Sequence, residues 1–201
     1  MSLTIDYTNE AAVTDLFSTE YINRVYKYLG LDPEIDAAYQ PLNVVDLIKS
    51  AVGVVEQNQH RIILTKEITI RPPVTAFCRV DKKVFLPWGV PQSTPVVTYQ
   101  PDPDVAAAPV TGVLFDNREP CYLWAREWDE FLTEDNPDPI TITYSVGYTD
   151  ESQIPKSTLA AIEIYCHYSF NREDNQEDLP DAFWHHCFLN QLNYYRLEDL
   201  F

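Results

Sequence analysis

Apolar positions along this chain change their spacing twice, dividing it into a helical start, a β middle and a helical end. After Ser18, a residue that can cap a helix, Ile22, Val25, Tyr26 and Leu29 recur at i, i+3, i+4 and i+7. Gly30 and Pro33 follow, so the pattern predicts a short amphipathic helix of about three turns. Residues 32–41 read as a loop. Asn43 is the next capping residue, with Asp46 in the reciprocal position. Val44, Leu47, Ile48, Ala51, Val52 and Val55 then form a stripe wider than half the circumference of a helix ending near Asn58. Such a helix needs cover beyond one core face, as a neighbouring subunit would give. Residues 1–17 have weak periodicity and predict a partly ordered arm.

Beyond His60 the period becomes that of strands. Ile62 to Ile70 is β-branched and partly alternating until Arg71-Pro72-Pro73 stops it. Short strands are expected at Val84–Leu86, Val96–Gln100, Val113–Phe115 and Tyr122–Ala125, with an exposed, proline-rich loop at Pro101–Pro109. From Ile140 to Tyr148 the alternation is unbroken, so one face of that strand is buried. Pro155 suits the first position of a third helix, carrying Leu159, Ile162, Cys166 and Phe170 and ending near Asn171-Arg172. After the acidic loop Glu173–Asp178, Pro180 opens a fourth helix through Phe183, Trp184, Cys187, Phe188 and Leu192.

Strands grouped together without βαβ alternation indicate an antiparallel α+β fold. The expected architecture is two N-terminal helices, a central block of short strands, and two C-terminal helices bundled with the first pair. The corresponding boundaries are an arm at 1–17, one domain at 18–193 with an inserted β/loop region at about 84–139, and a tail at 194–201.

Composition narrows the function classes. In 201 residues with 45% hydrophobic content a full core can form, and 13 Tyr, 9 Phe and 4 Trp supply rings suited to half-buried and interfacial positions. A net charge of −17 removes any electrostatic attraction to a phosphate backbone, so a sequence-reading nucleic-acid binder is not expected. Glycine is scarce, at 5, which disfavours glycine-cradled phosphate sites. The four cysteines form no C-x-x-C pair and are expected as reduced, mostly buried thiols. Neither a secretory leader nor a stretch of ~18 apolar residues is apparent, so no membrane partner is expected.

Candidate chemistry centres on Cys166-His167 and His185-His186-Cys187. Zinc would require these to converge from two helices, yet adjacent helical residues point about 100° apart. The acidic pairs Asp102/Asp104, Glu127/Asp129 and Glu134/Asp135 lie in loop-like sequence and read as solvated faces. No nucleophile elbow, phosphate loop, dinucleotide fingerprint or calcium loop occurs. No catalytic residue, resident metal or cofactor is expected.

Two stretches carry a resemblance. Ile140–Tyr148, ending in Gly147-Tyr148, leads through Ile154-Pro155 into a helix closed by Asn171-Arg172-Glu173. Residues Asn43 to Ile70 run as a helix with Glu56 near its end, a polar turn and the strand IILTKEITI. Together with Leu192-Asn-Tyr-Tyr-Arg196, and in this order, they resemble the head–tail connector (adaptor) proteins of tailed bacteriophages. The likeness spans about Thr19 to Arg196; the arm and the stretch between Val96 and Pro139 depart from the shorter members.

The resemblance implies a non-enzymatic virion protein made in the host cytoplasm. It would form a ring of about twelve copies below the portal, join head to neck, stopper or tail protein, and pass DNA without sequence-specific binding. It implies that Tyr194, Tyr195, Arg196, Leu197, Leu200 and Phe201 engage the portal, with Gly147, Tyr148, Pro155, Asn171 and Arg172 as structural motif positions. Two other readings stand beside it: a small metal-binding or hydrolytic domain using Cys166, His167, His185 and Cys187, and a different neck or tail-completion protein.

Overall fold

The computed structural model describes residues 4–34, 43–72, 83–118, 120–125 and 139–174. The chain forms two compact units, passing from one to the other at Glu10/Ala11, Leu64/Thr65 and Gly147/Tyr148. One unit is helical and the other is built from sheets.

In the helical unit, α1 (Val13–Leu16) and α2 (Thr19–Tyr28) precede α3 (Val44–Gln59), and α4 (Lys156–Asp174) follows a 3-10 turn at Glu151–Gln153. Ser18 caps α2 as expected, its Oγ accepting the Tyr21 N–H at 3.1 Å. The Glu151 carboxylate in turn accepts from the N–H and Oγ of Ser18, at 3.0 and 2.7 Å. Asn43 caps α3 through the Val45 N–H, at 3.0 Å. His60 ends that helix in the left-handed region at φ 51°, a conformation unusual without glycine. Pro155 sits one place before its expected position: its carbonyl accepts the Thr158 and Leu159 N–H groups, and α4 starts at Lys156.

The core of this unit joins all four helices. Ile48, Ala51 and Val55 of α3 meet Ala161, Ile162 and Cys166 of α4, with Val25 of α2 and Ile63 beyond α3. The stretch expected as an arm contributes to it. Val13, Leu16 and Phe17 are buried in this core, and Phe17 stacks on Tyr21 with centroids 4.7 Å apart. A single-turn helix holds too few apolar residues to display a period, which is why the pattern there looked weak.

The sheet unit contains β1 (Thr4–Thr8), β2 (Lys66–Arg71), β3 (Lys83–Phe85), β4 (Val96–Tyr99), β5 (Ala108–Pro109), β6 (Val113–Asp116), β7 (Tyr122–Ala125) and β8 (Ile140–Val146). They make a five-stranded sheet, β1-β2-β8-β4-β5, and a three-stranded sheet, β3-β7-β6, every pairing antiparallel. The strand with the strictest alternation, β8, lies at the centre of the larger sheet. Its Ile140, Ile142, Tyr144 and Val146 are buried, Ile142 facing Ile70 of β2 and Val97 of β4. The Tyr144 hydroxyl, deep in the unit, donates to the Pro87 carbonyl at 3.0 Å.

Three sequence expectations change here. Residues 4–8, expected in the arm, are an edge strand held to β2 by the ladder, by Arg71–Asp6 at 2.7 Å and by Thr8–Glu67 at 3.2 Å. The strand expected from Ile62 starts only at Lys66, because Ile63 and Leu64 pack in the helical core. Within the region expected as an insert, β4 is integral to the main sheet. The fourth helix from Pro180 and the tail lie outside the described residues.

Ile142→Ala should lower unfolding free energy by about 2–4 kcal/mol, since it empties a site packed from two flanking strands. Val96→Ala, at a position 59% exposed in the same sheet, should change it by no more than about 0.5 kcal/mol. Urea midpoints of the two variants check the contrast.

Candidate functional site

One motif position, Tyr148, belongs to a polar clasp in the helical unit, where α3 ends. Glu56, on the last turn of α3, is buried, and its Oε1 accepts the backbone N–H groups of Ile63 (2.7 Å) and Leu64 (3.0 Å). Two donors that would otherwise face an apolar core are thereby satisfied. One turn on, Gln59 donates to the Thr158 hydroxyl of α4 at 3.2 Å, a side-chain pair with both members buried. Tyr148 completes the arrangement. Its N–H donates to the Ile63 carbonyl at 3.0 Å, it bridges to Leu64, and its hydroxyl accepts from Arg61 Nη1 at 3.1 Å. Gly147, just before it, has φ +124°, a region nearly reserved for glycine.

Gly147 thus stands at a turn, Tyr148 in the clasp and Pro155 directly before α4. Asn171 and Arg172 fall in the last turns of α4, their side chains outside the described residues. Tyr194, Tyr195, Arg196, Leu197, Leu200 and Phe201 lie outside them as well. Sequence reasoning singled out Glu56 only by family position and missed Gln59 and Arg61. A carboxylate one turn before a helix end, followed by polar residues and then Ile62-Ile63-Leu64, was the available signal.

Half of the candidate metal set, Cys166 and His167, is described. Cys166 is enclosed in the core, whereas the His167 ring lies 5.3 Å from that of Tyr28. Burial, reinforced by the nearby Glu163 charge, pushes the Cys166 thiol up to about 12, far from a reactive thiolate. His185 and Cys187 lie outside the described residues. Among the described residues, no group of three His, Cys, Asp or Glu side chains could hold a metal ion. None of their helices is long and apolar enough to cross a membrane. A concavity of about 590 Å³ beside the end of α2 is lined by residues including Asn23, Lys27, Asp32 and Glu34 and holds no nucleophile–base pair. Tyr28 is exposed in the helical unit, and Tyr7, Val90, Val96, Val105 and Leu114 are exposed in the sheet unit.

Solved structures supply the comparison. A chain from the neck of an empty gene transfer agent particle, computed with C6 symmetry, matches with a TM-score of 0.70. The match covers 98% of this chain and 97% of that one, at 12% identity. Chains from the native gene transfer agent virion, and from its neck computed with C12 symmetry, match with TM-scores of 0.65 at the same identity and coverage. The likeness is one of fold. It extends over essentially the whole of both chains. No protein-family model matches the sequence, and comparison with curated proteins gives no match.

Glu56→Ala should destabilise the protein by about 2–4 kcal/mol by orphaning two buried N–H groups, and Glu56→Gln, which keeps an acceptor, by less; chemical denaturation measures both. Alkaline pH gives a second test. The unfolded Cys166 thiol ionises near its ordinary 9.0 and the folded one only near 12, so the fold favours the neutral form. That contribution is complete below pH 9 and is lost as pH rises from 9 towards 12. Burial also raises the Tyr21 and Tyr144 phenols, extending the loss upward. Stability should hold from pH 8 to about pH 9 and then fall towards pH 11, less steeply in Cys166→Ala.

Proposed function

We propose that this chain is a structural neck protein of a phage-like particle, an adaptor whose copies form a ring on the portal. The observation that carries the reading is the full-length fold likeness to chains of gene transfer agent necks. Those necks were computed with C6 and C12 symmetry, which fits a chain that works as one of about twelve equivalent copies. Independent support comes from the residues. In the polar clasp the buried Glu56, Gln59 and Thr158 side chains all bond to protein groups, as suits a rigid structural subunit. The aromatic content suits extended subunit contacts.

In this role the ring joins the DNA-filled head to the stopper or tail components and resides in the virion neck after assembly in the host cytoplasm. Its charge of −17 discourages DNA from adhering during passage, so the duplex is passed and not read. The C-terminal segment supplies the portal contact: Tyr194, Tyr195, Leu197, Leu200 and Phe201 offer apolar anchors and Arg196 a charged one. No catalytic step belongs to this function.

Mixing the purified protein with portal rings of the parent particle should add a ring layer visible by electron microscopy. A chain truncated after Asn193 should keep its circular-dichroism spectrum and thermal midpoint yet leave the portals bare. Undiminished binding by the truncated chain would remove the tail from the portal contact. Bare portals with the full-length protein, under several conditions, would overturn the adaptor role.

A further inference from the structure

The outer face of the three-stranded sheet differs in character from the acidic chain around it. Alternation buries Val84 and Leu123 and turns Lys83, Phe85, Tyr122 and Trp124 the other way. Register places Leu114, Trp124 and Lys83 in one cross-strand row and Asp116, Tyr122 and Phe85 in the next. The Lys83 ammonium stands 5.8 Å from the Tyr122 ring centre and 5.9 Å from that of Trp124. Phe85 meets Tyr122 edge-on at 5.9 Å, and Leu114 is 46% exposed. The Asp116 carboxylate is taken up by the Arg118 guanidinium, at 2.9 and 2.6 Å, and that bond holds its pKa down to about 2. Among the described residues the face thus presents aromatic rings, an exposed leucine, the Lys83 ammonium and the Asp116–Arg118 ion pair. Tyr and Trp are among the residues enriched where interfaces carry most of their binding energy.

The same unit bears a knob of opposite character. At the tip of the β4–β5 hairpin, Asp102 and Asp104 are exposed beside Val105, which is 48% exposed. The tip is preformed. Asp102 Oδ1 accepts the Asp104 N–H (2.9 Å), the Asp102 carbonyl accepts the Val105 N–H (3.0 Å), and Gln100 Nε2 donates to the Pro103 and Val105 carbonyls (3.1 and 2.9 Å). Docking it would cost little further ordering.

We propose that this hairpin tip of one copy seats on the outer face of the three-stranded sheet of the next, Val105 against the Leu114–Trp124 row and Asp102 and Asp104 towards Lys83 and Arg118. The inference rests on the reading of the chain as a ring-forming subunit, and it names the surfaces. Copies carrying −17 each repel one another wherever carboxylate meets carboxylate. This pairing instead sets carboxylates against cations. Knob and face are different surfaces, so the contact is heterologous, the kind that closes into rings.

The test is a cross-link between two full-length variants, Val105→Cys in one and Leu114→Cys in the other, mixed under mild oxidation both free and on portal rings. A dimer joined at 105 and 114, identified by mass spectrometry, should form roughly tenfold faster than with the control pair Val105→Cys and Tyr28→Cys. Lys83→Glu in the Leu114→Cys copy should abolish that advantage, and Asp104→Lys in its partner should restore it. No advantage over the control pair in either setting overturns the docking face, as does an unaffected Lys83→Glu cross-link. Transfer of the Val105→Cys cross-link to another neck component overturns it too, by assigning the hairpin to that component. Ring layers that form on the portal without the 105–114 link refute this surface and leave the adaptor role standing; the absence of any ring layer refutes the role itself.

Discussion

A carboxylate taken out of water must find donors, and in this chain the buried Glu56 finds them in the backbone of Ile63 and Leu64. That single requirement fixes how the chain turns after α3. His60 takes up a left-handed conformation to make the turn, Ile63 is delivered into the helical core, and its carbonyl is left facing Tyr148. The segment before β2 and the segment after β8 are thereby tied side by side within the helical unit. The Gln59–Thr158 pair then fastens the start of α4 to the end of α3. The Glu56 bonds close a local turn of seven and eight residues, whereas Gln59 and Thr158 are 99 residues apart.

Much of this was legible in the sequence because local physics agreed with the tertiary outcome. Ser18 and Asn43 are capping residues and they cap. The unbroken alternation of β8 marks a strand with one buried face, and it has one. Where reading failed, the missing information was non-local. Residues 4–8 carry no pattern that distinguishes an arm from an edge strand, since what makes them a strand is the free edge of β2, 59 residues away for Thr8 and Glu67. Ile62-Ile63-Leu64 look like the beginning of β2, and only the Glu56 clasp assigns them to the helical core. The cross-strand rows that gather Lys83, Trp124 and Leu114 likewise depend on register, which the sequence alone leaves open.

A chain so rich in carboxylates associates with itself only through surfaces where charge is locally balanced. Balance is scarce, because 14 Lys and Arg stand against 31 Asp and Glu. Several of the cations are already engaged within the fold: Arg24 with Glu163, Lys66 with Glu10, Arg71 with Asp6. Negative charge therefore acts as a filter on association. It disfavours contact between acidic surfaces and favours contact where rings and cations lie together.

The strand order of the larger sheet also bears on how the protein is made. The central pairing sets Thr69 beside Thr143, 74 residues further along, so β2 leaves the ribosome long before the strand it leans on exists. β1 emerges earlier still and must wait for β2. Closing loops of this length delays the sheet relative to the local turns of α2 and α3. The sheet unit is therefore completed late in synthesis, when most of the chain has already been translated, and any surface that needs the finished sheet exists only then.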